Sequence, residues 1–445
     1  MAERAEGPAL TADEQAERAR ATIARLEGQL RRTPRHRTYE RAVLRYNLGL
    51  AWQEFPSGER ALNLSRAVAS LRKAAELFDP ARWPVEYART QNALGAALRQ
   101  TGQLEAAVEA FRAAARHVPA ELNPGEYGAV LNNLGLALSD IGRHAEAVEC
   151  FEGALEAFAR PDLLRQRLAA LHNLGQALAA SDEPAGVERG IATYRQAIEL
   201  ADPEEHPYQW GLLHHSLGSA LTAVRRPQEA VDAFKQALRV FTRPRFPFQH
   251  ALTKNNLGLA YAQIGTPAAL RRAVVCFEDA LRVLDVRLHQ AQWEQAYRNL
   301  ELAEAGLGAA GEQGTRAEHF ARLLAESSDD EAMALLRERV QELSGLPEPQ
   351  RTERMAELDL ALLRLGGAAL ERLTAVWLDV LMELPQPGFA AGLRARMVAL
   401  EHLEEGARDR ATRVMDTLIA DRLLAPQRIR VRDTLAALGY TRPEP

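Results

Sequence analysis

Asn132-Asn133-Leu134-Gly135-Leu136-Ala137-Leu138 returns along the chain with small changes. Its Leu-Gly pair recurs as Leu48-Gly49, Leu94-Gly95, Leu174-Gly175, Leu217-Gly218 and Leu257-Gly258, with a worn copy at Leu300-Glu301. The steps between glycines are 46, 40, 40, 43 and 40 residues, and 43 more reach Glu301. Self-similarity at such a period predicts a solenoid of stacked units, since one unit alone cannot bury its apolar face. The expected fold class is all-α, an α-solenoid.

The unit around Gly95 shows how each copy is built. One helix is expected from Tyr87-Ala88 through Leu94, Gly95 and Leu98 to Thr101-Gly102. A second carries Leu104, Ala107, Val108, Phe111 and Ala114. Both have the i, i+3, i+4, i+7 spacing of an amphipathic helix. Small residues let the two helices approach closely, and a glycine at the turn ends the first. The same offsets give Gly135, Gly142, Ala147, Phe151 and Ala154 in repeat three. In repeat five Arg225 stands where the turn glycine belongs. Extra residues near Pro56–Arg60, Ser181–Pro184 and Thr266–Ala269 all fall at the turn inside a repeat, where length variation costs least.

This pattern of Leu-Gly, turn Gly, Ala, aromatic and Ala resembles the tetratricopeptide repeat over residues 38–308. The basal period of 40 and the Asn-Asn-Leu-Gly string are similar to the long-repeat kinesin-light-chain variety, as found in bacterial signalling proteins. The resemblance implies a right-handed superhelix whose concave face is lined by the first helix of each repeat. It also implies a protein that holds other proteins and is not an enzyme. Bacterial arrays of this kind are often fused to caspase-like proteases or signalling NTPases, and no such module is present.

Composition fits a folded protein without a polyanionic partner. The formal net charge of −5 gives no broad attraction to nucleic acid or anionic membrane. Only Lys73, Lys235 and Lys254 among the 55 basic residues are lysines, an arginine bias expected of a GC-rich, bacterial genome. Met1 to Leu10 lacks the basic start and apolar stretch of a signal peptide, and no 18-residue apolar run occurs, so a cytoplasmic location is expected. Cys150 and Cys276 sit at equivalent places three repeats apart, too far to pair within one chain.

Four segments are expected: a capping helix within 1–37, about seven repeats over 38–308, connecting helices of a degenerate repeat over 309–345, and a helical domain over 346–445. Thr11-Ala12-Asp13-Glu14 reads as a capping box, and Ala12, Ala16, Ala19, Ile23, Leu26 and Leu30 form one stripe behind it. Beyond Gly308 helices are expected near 316–326, 329–343, 351–365, 368–384, 389–404, 406–424 and 426–438. Arg428-Ile-Arg-Val-Arg432 reads as a solvated helix end.

Function is expected where the first helices face the groove. The residue before each Leu is Asn47, Asn133, Asn173, Asn256 or Asn299, with Ala93 and Ser216 as exceptions. One position earlier stand Tyr46, Asn92, Asn132, His172, His215, Asn255 and Arg298. In peptide-binding repeats of this family the asparagine matching Asn133 grips the ligand's main chain or terminal carboxylate. An amide both donates and accepts, which suits any peptide; it also suits a bond to the neighbouring helix. Gln176, one turn on, joins the groove set, and Leu50, Leu136 and Leu259 add an apolar floor. Arg99 and Arg89 are the basic candidates for a carboxylate clamp, while Lys254 is expected to pack sideways. The expected partner is a protein or peptide, with self-association through the C-terminal helices possible in principle.

Catalytic motifs are missing: there is no Gly-rich phosphate loop, Cys-x-x-Cys, His-Glu-x-x-His or Gly-x-Ser-x-Gly. His214-His215 is the one suggestive pair, but adjacent helical residues point about 100° apart and do not converge on one ion. No cofactor and no metal are expected. Two rivals to the adaptor reading are a regulatory subunit of a separate protease or signalling NTPase, and a self-assembling scaffold.

Overall fold

The computed structural model describes residues 12–56, 59–121, 123–181 and 185–440. Thr11 of the expected capping box, Met1 to Leu10 and most of the Ser181–Pro184 insertion lie outside them. Among the described residues there are 21 α-helices, one 3-10 turn and no strand. The chain forms two compact units, Met1–Phe246 and Pro247–Pro445.

The first unit opens with α1 (Ala12–Arg32), whose stripe buries Ala16, Ile23, Leu26 and Leu30 as it packs on α2. Five hairpins follow: α2 (Thr38–Gln53) with α3 (Arg60–Leu77), α4 (Pro84–Gln100) with α5 (Leu104–Ala115), α6 (Pro124–Asp140) with α7 (His144–Ala157), α8 (Leu164–Ala180) with α9 (Gly186–Leu200), and α10 (Pro207–Ala223) with α11 (Pro227–Val240). Proline opens α4, α6, α10 and α11, where its missing N–H has no intrahelical partner to lose.

Each hairpin closes on its Leu-Gly pair. A methyl group at Gly135 would stand 2.7 Å from the Phe151 ring, and one at Gly175 would stand 2.5 Å from the Tyr194 ring. The aromatic therefore seals its own hairpin, and any side chain at the glycine would force the helices apart. Buried leucines and aromatics from α3 to α8, among them Leu71, Leu98, Phe111, Leu138, Phe151 and Leu178, join in one apolar spine. The turn glycines Gly102 and Gly142 adopt φ of 74° and 78°, and Arg225 is held at φ 56° in the same role. The arginine thus keeps the turn at a steric cost glycine would not carry.

The second unit begins with α12 (Pro247–Ile264) and α13 (Pro267–Val283), paired as before, and α14 (Gln290–Ala309) packed on both. Seven more helices follow: α15 (Arg316–Glu326), α16 (Asp329–Ser344), α17 (Gln350–Leu363), α18 (Gly367–Met382), α19 (Gln386–Glu401), α20 (Glu405–Arg422) and α21 (Ala425–Ala437). These agree with the expected segments to within three residues at each end. Their packing differs from the hairpins: α15 lies on α17, α16 on α18, α17 on α19, α18 on α20 and α19 on α21.

The core of this region holds an ion pair. Arg396 Nη2 lies 3.2 Å from Asp359 Oδ1, both side chains almost wholly buried, and the guanidinium carbon sits 3.9 Å from the Trp377 ring centroid. Burial pushes the Asp359 carboxyl up to about 6 in spite of Arg396. The basic C-terminal stretch is not simply solvated. Arg430 lies over the Phe389 ring and donates to the Met382 and Leu384 carbonyls, capping the end of α18.

Candidate functional site

The amides before Leu-Gly are positioned by the hairpin closure. Because leucine and glycine point into the core, the two preceding residues fall on the edge where one first helix meets the next. The result is a regular seam. Asn133 Nδ2 donates to Asn92 Oδ1 at 3.0 Å, and Asn173 Nδ2 donates to Asn132 Oδ1 at 2.9 Å. In the second unit Asn299 Nδ2 donates to Asn255 Oδ1 at 3.0 Å. At these joints the residue just before Leu bonds the residue two before Leu in the preceding repeat. His172 and Ser216 follow the same pattern with other chemistry, their Nε2 and Oγ atoms 2.9 Å apart.

The remaining candidates fall into distinct settings. Asn47 on α2 and Gln176 on α8 are exposed. Asn256 accepts from Asn255 Nδ2 at 3.1 Å. Asn255 and Asn299 are buried, and Gln295 donates to Asn299 as well. His215 packs its ring against Phe234, with centroids 5.7 Å apart. Burial, then the nearby His172, hold the His215 imidazole down at about 4. Burial also lowers His172, so both rings are neutral near pH 7. Arg99 pairs with Asp140 at 2.5 Å and Arg89 forks onto Glu126 at 2.7 and 3.0 Å, each reaching from α4 to α6. Lys254 bonds Asp279 at 2.7 Å. The guanidiniums considered for a carboxylate clamp thus meet carboxylates of the next repeat.

Sequence reasoning did not find these cross-repeat ion pairs. The signal was present, since Arg112 and Arg195 each precede a glutamate by 34 residues and pair with it, with Glu146 and Glu229 respectively. It becomes visible only when charges are compared one repeat apart.

Among the described residues no cluster of three or more His, Cys, Asp or Glu side chains is placed to hold a metal ion. Neither cysteine is in a disulfide; burial pushes the half-buried Cys150 thiol up to about 11, leaving it a thiol at neutral pH. No described helix is long and apolar enough to cross a membrane.

Residues 88–116 and 128–160 match two models of the tetratricopeptide repeat. The chain contains tetratricopeptide repeats. These repeats serve in general as protein–protein interaction scaffolds rather than as enzymes. No curated protein matches the chain. Solved structures similar to it include BtubC (BKLC) from P. vanneervenii, 16% identical, covering 54% of this chain and 94% of that one with a TM-score of 0.41. A Podosopora anserina putative kinesin light chain with nearly identical TPR-like repeats is 21% identical, covering 46% and 97%, with a TM-score of 0.38. The apo form of RapI is 12% identical, covering 90% and 98%, with a TM-score of 0.40.

Proposed function

We propose that the chain is a non-enzymatic adaptor whose tetratricopeptide repeats hold an extended or helical segment of a partner along the first-helix face, in the groove. The observation that carries this reading is the hydrogen-bonding capacity left over at the seam. In the Asn92–Asn133 pair one N–H and one oxygen are used, so Asn92 Nδ2 still offers donors and Asn133 Oδ1 still accepts. Neither atom has another partner among the described residues, and both side chains are only half buried. A peptide unit presents the complementary donor and acceptor, and Asn132–Asn173 offers the same set one repeat on. Half-exposed Leu136, beside this seam, supplies the apolar floor for the segment's side chains.

The test begins with a random-peptide display selection on the full chain, followed by affinity measurement for the best binder. Removing both seam partners together, by Asn92→Ala with Asn133→Ala, strands no polar group and so leaves the fold nearly unchanged. Binding of the selected peptide should fall at least tenfold, about 1.4 kcal/mol, with melting shifted little. Unchanged affinity in that variant would sink the adaptor reading at this site.

A further inference from the structure

The first repeat differs from those after it in what covers its leucine. Leu94 and Leu134 lie in the continuous spine between hairpins, whereas Leu48 is covered by the single helix α1, through Ile23 and Leu26. One helix fills less space than two. A cleft of about 490 Å³ remains between α1, α2 and α3, floored by Ile23, Leu48, Trp52 and Phe55. That volume is in the range of small-ligand sites, about 300–1,000 Å³.

Three of the side chains that line it are cationic, Arg20, Arg45 and Arg66, against one carboxylate, Glu27. Arg45, half buried on α2, and Arg66 on α3 line the cleft, and neither has an ion pair or hydrogen bond among the described residues. Arg66 is stacked on Trp52, its guanidinium carbon 4.5 Å from the ring centroid. Arg20 stands 5.9 Å from the Phe55 ring at the opposite wall. Glu27 lines the cleft too but pairs with neither Arg45 nor Arg66. Burial, then the neighbouring Arg41 cation, lower the Arg45 pKa, so a positive charge there lacks compensation. This contrasts with the repeats, where Arg89, Arg99, Arg112 and Arg195 all meet carboxylates.

We infer that this cleft is a binding site for an amphipathic monocarboxylate, with an aromatic or aliphatic body on the Trp52–Phe55 floor and its carboxylate on Arg45 and Arg66. Guanidinium forks match a carboxylate in geometry, and the pairing gains most at the half-buried Arg45, beside the apolar floor. The site lies at the cap end of the first unit and is independent of the amide seam. Its ligand is either a free organic acid or the C-terminal carboxylate of a peptide ending in a large apolar residue.

Titration calorimetry on the full chain tests this with 4-phenylbutyrate and its neutral counterpart 4-phenylbutanamide. Saturable binding of the acid is expected, at least tenfold tighter than the amide and weakened by salt. Arg45→Gln and Arg66→Gln should each cost about fivefold or more; exposed Arg66 can be exchanged without risk to the fold. A short peptide ending in Phe, with free or amidated C-terminus, separates the sources: tighter binding than the free acid assigns a peptide terminus, weaker binding a small metabolite. Absence of saturable binding by acid and peptide alike at millimolar concentration overturns the site. So does equal binding of acid and amide, or an unchanged affinity in Arg66→Gln.

Discussion

The repeats and the C-terminal helices solve the same problem, a polar contact inside a helical stack, with opposite chemistry. In the first unit the contact between repeats is an amide pair at a half-exposed edge, such as Asn92 with Asn133. In the C-terminal region it is Asp359 with Arg396, sealed under Trp377. A neutral amide loses little on partial desolvation, so the device is repeated at seam after seam. A buried ion pair carries a desolvation cost that its attraction only partly offsets, and among the described residues Asp359–Arg396 is the pair with both side chains almost wholly buried.

Breaking the buried pair should have the largest effect. Arg396→Met leaves the Asp359 carboxyl buried and unpartnered and is expected to lower stability by about 3–5 kcal/mol in urea unfolding. Adding Asp359→Leu should recover most of that loss. A double variant as unstable as the single one would mean that the pair's own attraction, not the orphaned carboxyl, sets the loss.

Acid should act on the first unit through His215, whose ring is buried against Phe234. His215 is neutral in the fold down to about pH 4, whereas an unfolded histidine takes its proton near 6.5. Stability present above pH 6.5 is therefore lost as pH falls through that window, by up to about 3 kcal/mol for this residue. His215→Asn should flatten the slope between pH 6.5 and 4; an unchanged slope would remove His215 as its source.

The smallest change belongs to a single amide. Asn133→Ala removes one inter-repeat hydrogen bond and leaves Asn92 to water, so about 1 kcal/mol is expected. A cost nearer that of Arg396→Met would show the seam to be as critical as the buried core, and the contrast between the two regions would fail.

Much of this was legible before any coordinates, for identifiable reasons. Leu134-Gly135 and Phe151 recur at fixed offsets because a methyl at the glycine would collide with the ring, so packing wrote itself into the period. The seven C-terminal helices were legible from Gly366-Gly367 and Pro385-Gln-Pro-Gly388, which interrupt apolar stripes. Their partners were not, because α17 lies on α19 rather than on its chain neighbour and no short-range spacing records that. The asparagines were legible as a set, but their donors and acceptors depend on two repeats meeting edge to edge. The Arg45–Arg66 cleft was invisible, since it arises from what a lone α1 fails to fill.

The seam rule also bears on how the array changes length. Excising one 40-residue period around Gly135 would bring Asn173 opposite Asn92, recreating the donor and acceptor just lost. Units flanked by asparagine are in this sense interchangeable parts, free to be duplicated or deleted without redesign of the joint. The His172–Ser216 joint is keyed differently, and a copy spliced there would meet a mismatched edge.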